Sequence, residues 1–228
     1  MHLTRSNVSK LIKLERVKGR KWLTTALPGT HSRDRAIPIN ILFRETMKIV
    51  KTTRETKLMI KKKSFMVNKR YIKDVKFPVG LFDIIEFPEL KENYRVTILE
   101  DKKWGVKPVK SEECHLRPCK IVGKKLQNKG VLQINLDNGF NILTNDQNIS
   151  VGDTLVLDLT TKKIVKHVKL ERGANVMLID GKYLGKVGIL SEIKPGIIRK
   201  RNVLLQVGKE LIETSGRYVF VLDNTLTY

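Results

Sequence analysis

Thr52-Thr53-Arg54-Glu55-Thr56-Lys57-Leu58-Met59-Ile60-Lys61-Lys62-Lys63-Ser64-Phe65-Met66-Val67-Asn68-Lys69-Arg70 is the run in which the chain changes period. Thr52 followed three residues later by Glu55 is a capping box, in which hydroxyl and carboxylate satisfy the first unpaired N–H groups of a helix. Arg54, Lys57 and Lys61 then fall at 0, 3 and 7 on one helical face, which Lys62 and Lys63 extend. After Ser64 the helical spacing stops. Phe65-Met66-Val67 reads as a short strand and Asn68-Lys69-Arg70 as the turn after it, Asn68 being suited to a left-handed position.

Upstream, Ile37 opens another helical pattern, with Pro38 suited to a first turn. Ile39, Leu42, Phe43, Met47 and Val50 fall at 0, 3, 4, 8 and 11 on an apolar face, and Arg44, Lys48 and Lys51 at 0, 4 and 7 on a different one. Downstream, Phe77-Pro78-Val79-Gly80 reads as a turn and Leu81-Phe82-Asp83-Ile84-Ile85 as a buried strand. Residues 37–90 therefore read as an α+β module of two helices and a small sheet. The rest is mainly β. Residues 131–136 lead through Asp137-Asn138-Gly139 into 140–143, and 95–99, 154–159, 164–170, 203–207, 210–214 and 218–222 are further strands. Asn-Gly between alternating runs is a strong hairpin signal. Turns at intervals of about 8–12 residues indicate small barrels, here a central β domain, 91–170, and an SH3-like β domain, 171–228.

The 228 residues are 41% apolar and 30% charged, a globular composition. Lys and Arg total 45 against 23 Asp and Glu, a net charge of +22 that points to a polyanion, nucleic acid before an acidic membrane surface. The charge is concentrated: residues 1–80 hold 21 basic residues and 5 acids, residues 81–228 hold 24 and 18. Residues 1–36 read as a basic tail, with 9–18 as its candidate helix, that orders only against a partner neutralising it. No stretch approaches the ~18 apolar residues of a membrane span. Met1-His2-Leu3-Thr4-Arg5 is not followed by an apolar secretory segment, and the two cysteines fit a reducing compartment.

Two helices with Arg or Lys at helical spacing match the phosphate rows of A-form RNA. Arg44 and Arg54 suit bidentate phosphate contacts; the lysines act as point charges. A basic stripe is also what a solvated face looks like. Such faces usually mix signs for i,i+4 pairing, whereas only Glu45 and Glu55 are at hand here, and Glu55 is claimed by the cap. Asn68, Lys69 and Arg70 either extend this footprint or form an ordinary turn. Aromatic residues are 6%; Trp22, Tyr71 and Tyr183 are candidate exposed rings, whereas Phe65, Phe77 and Phe82 suit a core. Phosphate and shape recognition is thus expected in preference to base stacking. Lys182 and Lys186 lie in the glycine-bearing stretch 180–186, which either approaches sugar-phosphate or closes a barrel. Cys114-His115-Leu116-Arg117-Pro118-Cys119 has two Cys and one His but no second ligand pair, so no metal is expected. Gly185-Lys186-Val187-Gly188 lacks the setting of a phosphate loop and no Gly-x-Ser-x-Gly elbow occurs; neither enzymatic activity nor a cofactor is expected.

Four stretches, in order, resemble the archaeal and eukaryotic small-subunit ribosomal protein family S-four-e. They are His2-Leu3-Thr4-Arg5, Pro28-Gly29-Thr30-His31-Ser32-Arg33-Asp34-Arg35-Ala36-Ile37-Pro38, Asp74-Val75-Lys76-Phe77-Pro78-Val79-Gly80-Leu81-Phe82-Asp83-Ile84-Ile85, and residues 173–189 with Gly181, Leu184, Gly185, Val187 and Gly188. The last is similar to a KOW motif. The two-helix-plus-sheet unit resembles the RNA-binding module of bacterial ribosomal protein S-four, pseudouridine synthases and tyrosyl-tRNA synthetases. The resemblance implies a non-enzymatic constituent of the small ribosomal subunit, cytoplasmic and ribosome-bound, and not a homo-oligomer or a membrane protein. Its partners would be the 5′ region of small-subunit ribosomal RNA and neighbouring small-subunit proteins. Arg5, Arg33 and Arg35, inside the matching stretches, join the helical and loop residues as candidate RNA contacts. Two other readings stay open: a KOW-type transcription or translation factor acting off the ribosome, and an RNA-modifying enzyme.

Overall fold

The change of period at Ser64 lies inside the first of two units, residues 1–117 together with Tyr228; the second is residues 118–227. The structure, a computed structural model, describes all residues except 1, 2, 10, 13, 15–20, 128, 129, 147, 195–201, 209, 224 and 227.

In the first unit β1 (Leu3–Thr4) pairs antiparallel with β2 (Trp22–Leu23). β3 (Ile37–Pro38) leads into α1 (Ile39–Ile41), which continues as a π-helical turn, Leu42–Thr46, and α2 (Thr53–Lys62) follows. Then come β4 (Met66–Val67), β5 (Arg70–Tyr71), β6 (Pro78–Val79), β7 (Ile84–Phe87), β8 (Glu92–Ile98) and β9 (Trp104–Pro108). The main sheet has the order β5-β4-β7-β8-β9, and β3 pairs with β6. Ile39, Ile41, Leu42 and Phe43 on the helical side and Phe65, Val67, Ile84 and Ile85 on the sheet side are all buried. Phe43 meets Phe65 edge-on at 4.7 Å between ring centres, a favoured aromatic geometry. Buried Asn40 joins the helices: its amide donates to the Thr24 and Thr53 hydroxyls (2.7 and 3.1 Å) and accepts from the Thr56 hydroxyl (3.1 Å).

Three expectations change here. The first helix is shorter than its apolar spacing suggested. The Met47 N–H bonds the Leu42 carbonyl (2.8 Å), and Lys48 turns left-handed at φ 57°. The helical turn ends at Thr46, so Lys48 and Lys51 lie beyond it and share no helical face with Arg44. Second, the described part of residues 1–36 packs on its own unit: Ile12 and Leu23 are buried, and the Trp104 N–H bonds the Leu11 carbonyl (2.7 Å). Even a basic segment docks when its few apolar side chains find a sheet edge. The candidate helix at 9–18 falls mostly outside the described residues. Third, position 90 sits in the turn joining β7 to β8, which pair from Ile84↔Arg95 to Phe87↔Glu92, so the sheet runs across the boundary read from sequence.

β10 (Leu116–Leu126), β11 (Leu132–Leu136), β12 (Asn141–Thr144), β13 (Thr154–Asp158) and β14 (Ile164–Val168) form a sheet of order β12-β11-β10-β13-β14. β11 and β12 are the hairpin signalled by Asn138-Gly139, with Gly139 left-handed at φ 76°. β15 (Asn175–Leu178), β16 (Val187–Lys194), β17 (Asn202–Val207), β18 (Glu210–Ser215) and β19 (Val219–Val221) form another, of order β18-β17-β16-β15-β19. The turn read at Pro195-Gly196 lies outside the described residues. Each sheet has its own apolar core, around Ile121, Ile134 and Leu155 in one and Val176, Leu190 and Leu205 in the other. The two are locked together within this unit by Lys120. Its backbone lies in β10, and its buried ammonium donates to the carbonyls of Gly216, Arg217 and Val219 (3.1, 2.9 and 2.5 Å). A second tie is the Lys166–Asp223 ion pair at 2.7 Å.

Candidate nucleic-acid interface

α2 begins as its capping box dictates. The Thr52 hydroxyl accepts from the Glu55 N–H (3.3 Å) and donates to Glu55 Oε1 (2.8 Å), while Glu55 Oε2 accepts from the Lys51 N–H (2.8 Å). These bonds, led by the one from Lys51, hold the Glu55 carboxyl below the usual carboxylate range. The helix ends at Lys63, left-handed at φ 55°. Thr56 packs inward while Arg54, Lys57, Lys61, Lys62 and Lys63 stand exposed. Among the described residues, none of these five makes an ion pair. Leu58, half-exposed, sits among them.

Arg5, Arg44, Lys69 and Lys186, by contrast, are paired with acids of the fold. Glu45, buried, accepts from Arg44 Nε and Nη2 (3.1 and 2.9 Å) and from Arg5 Nη2 (3.4 Å). Lys69 donates to Glu86 at 2.7 Å; burial pulls its ammonium down, but Glu86 outweighs this and raises it. Lys186 pairs with Glu210 at 3.7 Å, and the Lys182 and Lys186 ammoniums lie 5.4 and 5.3 Å from the Tyr183 ring centre. Arg33 and Arg35 are exposed on a short helical turn, Arg33–Arg35, and Arg70 is exposed on β5. Lys51 is exposed beside the cap.

Asn68 and Lys69 both adopt left-handed angles (φ 49° and 62°), and Val67 faces Arg70, a hairpin turn of the primed kind. The Asn68 side chain serves the fold. Its amide donates to Asp83 Oδ1 (2.7 Å), and its oxygen accepts from the Ile84 N–H (3.0 Å). Asp83 is the organiser that sequence reading passed over. It is buried, pairs with Arg117 at 2.8 Å, bonds His31 Nε2 at 3.0 Å and accepts from the Gly80 N–H at 2.7 Å. Burial pushes its carboxyl up, but Arg117, then His31 and Gly80, outweigh burial and hold it far below the usual range. His31 lies two residues before Arg33, and Asn68 two before Arg70, so one carboxylate anchors both basic turns. Gly80 is required beside it, because a Cβ there would overlap the His31 ring. An acid placed alone inside Leu81-Phe82-Asp83-Ile84-Ile85 was the available signal, since a buried charge needs a partner.

Among the described residues no cluster of three or more His, Cys, Asp or Glu is arranged for a metal. Cys119 is a buried strand residue whose sulfur accepts from Asn138 (3.0 Å). No helix among the described residues is long and apolar enough to cross a membrane.

The family model "Ribosomal family S4e" matches residues 90–164. Small ribosomal subunit protein eS4 of Archaeoglobus fulgidus is 36% identical over 226 residues, 97% of this chain and 93% of the relative. The eS4 protein of Pyrobaculum aerophilum is 32% identical over 228 residues, 98% and 96% of the two chains. The crystal structure of the 30S ribosomal protein S4e from Thermoplasma acidophilum has the same fold, at TM-score 0.73 and 22% identity, covering 85% of this chain and 98% of that one. By near-full-length identity and by fold, the chain belongs to the S4e family of small ribosomal subunit proteins.

Proposed function

We propose that the protein is a structural constituent of the small ribosomal subunit and that its first unit binds ribosomal RNA through phosphate and shape contacts. The observation that carries this reading is the division among its cations. Arg5, Arg44 and Lys69 are neutralised by acids of the fold, whereas Arg54, Lys57, Lys61, Lys62 and Lys63 project from α2 with no acid of the described residues paired to them. Five uncompensated cations on one short element cost self-repulsion and suit an external polyanion. Arg33, Arg35 and Arg70 extend the footprint, placed by Asp83 through His31 and Asn68. Lys182, near the Tyr183 ring, forms a smaller contact in the KOW-like stretch of the second unit, which Lys186 joins on releasing its exposed 3.7 Å pair with Glu210. The RNA partner is the 5′ region of the small-subunit RNA, the protein acts in the cytoplasm on the ribosome, and it is present in one copy. Catalysis plays no part, and affinity comes from counterion release on a pre-shaped surface.

Sedimentation of a cell lysate and footprinting on small-subunit RNA test this together. The protein should travel with small subunits and protect RNA backbone positions. Finding it in light fractions at low magnesium, with no protection of the RNA, would favour a factor acting off the ribosome.

A further inference from the structure

Two aromatic rings of the first unit stand at least half-exposed, Trp22 (57%) on the short β1–β2 pair and Tyr71 on the main sheet, and Tyr71 is the one that adjoins the cations ending α2. Phe43, Phe65, Phe82, Phe87 and Trp104 are almost wholly buried, whereas Tyr71 is 50% exposed. It lies on β5, the edge strand of the main sheet, and the next residue, Ile72, turns inward. Its hydroxyl has no hydrogen-bond partner among the described residues, unlike Tyr94, whose hydroxyl donates to Glu92 (2.8 Å). A cation lies over the Tyr71 ring: Lys63 Nζ is 5.7 Å from the ring centre. Lys63 is the left-handed residue that closes α2, directly after Lys61 and Lys62. An open ring therefore stands at the end of the basic row, with the exposed Arg70 beside it in the chain.

We propose that Tyr71 is a stacking platform for one unpaired RNA base, held while Lys63 and its neighbours bind the adjoining phosphates. This rests on the RNA-binding reading above and adds to it a contact that phosphate recognition alone does not supply. Duplex RNA hides its bases in the stack, so a ring at the end of a phosphate-binding row is useful only where a loop or bulge offers an unstacked base. Any base has a π-face, so the contact selects RNA shape and not sequence. Lys63, on a flexible four-carbon stem, reaches the phosphate of the nucleotide stacked on the ring it now covers.

The test uses the full chain and transcribed small-subunit ribosomal RNA. Tyr71→Leu should weaken binding roughly five- to a hundredfold without changing its salt slope, Tyr71→Phe should bind like the wild type, and Lys63→Met should lower the slope by about one. In the wild-type protein, nitration of Tyr71 by tetranitromethane should be suppressed by the naked RNA, a readout independent of whether any variant folds. Equal affinity for Tyr71→Leu and wild type, or undiminished nitration in the complex, overturns the proposal while leaving phosphate binding intact. Protection only in assembled subunits and not on naked RNA points to a protein neighbour and also overturns it. A wild-type chain that fails to bind the RNA at all refutes the parent reading instead.

Discussion

Replacing Arg54, Lys57 and Lys61 together by Ala removes three exposed cations that no described acid neutralises. Alanine is the strongest helix former and all three side chains point outward, so α2 should keep its structure and the chain its stability. Each phosphate contact contributes about 0.7–0.9 to the slope of log affinity against log salt concentration. Losing three should flatten that slope by about 2.1–2.7. Between 50 and 200 mM salt, a fourfold rise, the variant should therefore lose about twenty- to fortyfold less affinity than the wild type. Fluorescence anisotropy with labelled small-subunit RNA across that range measures it. Arg44→Ala is the control. Its guanidinium is spent on Glu45, so it should lower stability, by leaving a buried carboxylate with only the weaker Arg5 contact, and move the slope by well under one. A triple variant with the wild-type slope, or an Arg44→Ala variant losing a full phosphate's worth, would show that paired and unpaired cations are not what divides the binding surface from the rest.

Arg117→Met strands the buried Asp83 charge and should cost about 3–5 kcal/mol in urea unfolding; a loss under 1 kcal/mol would deny Asp83 its organising role. The Asp83 carboxyl is held low in the folded state, so its stabilisation is present above the unfolded value of about 4 and disappears as pH falls toward the lower folded value. Asp83→Asn should accordingly flatten the loss of stability below about pH 4, and an unchanged acid limb counts against it. Lys120→Met leaves the carbonyls of Gly216, Arg217 and Val219 without their donor and should destabilise the second unit by about 1–3 kcal/mol, read by thermal melting. Thr52→Ala should cost about 1 kcal/mol through loss of the cap, visible as reduced helicity at raised temperature.

The parts legible in sequence are those whose cause is local. Thr52 and Glu55 are three residues apart, and Asn138-Gly139 sits between alternating runs, so the cap and the hairpin follow from neighbours alone. The same holds for the outward face of α2. What escaped was set at a distance. The first helix stops in a π turn at Thr46 that no periodicity announces, which leaves Lys48 and Lys51 beyond the helix on which a shared face was expected. The docking of Ile12 depends on the edge strand at Trp104, ninety-two positions later in the chain. Asp83 meets His31 from 52 residues away. In both Asp83 and Lys120 the trace left in sequence was a single charge inside an apolar run, which states that a partner exists without saying where.

The Lys120 lock carries a consequence for how the chain is made. The lysine and the carbonyls it needs are 96 to 99 positions apart, so the ribosome must synthesise nearly the whole second unit before its two sheets can be fastened. Until then the nascent chain holds a cation destined for burial with nothing to receive it, and the late closure of so long a loop is entropically slow. The α2 face, by contrast, is complete once residue 63 has emerged. On the RNA-binding reading proposed above, a growing molecule would thus engage its polyanion through α2 while its carboxyl-terminal half is still waiting to become whole.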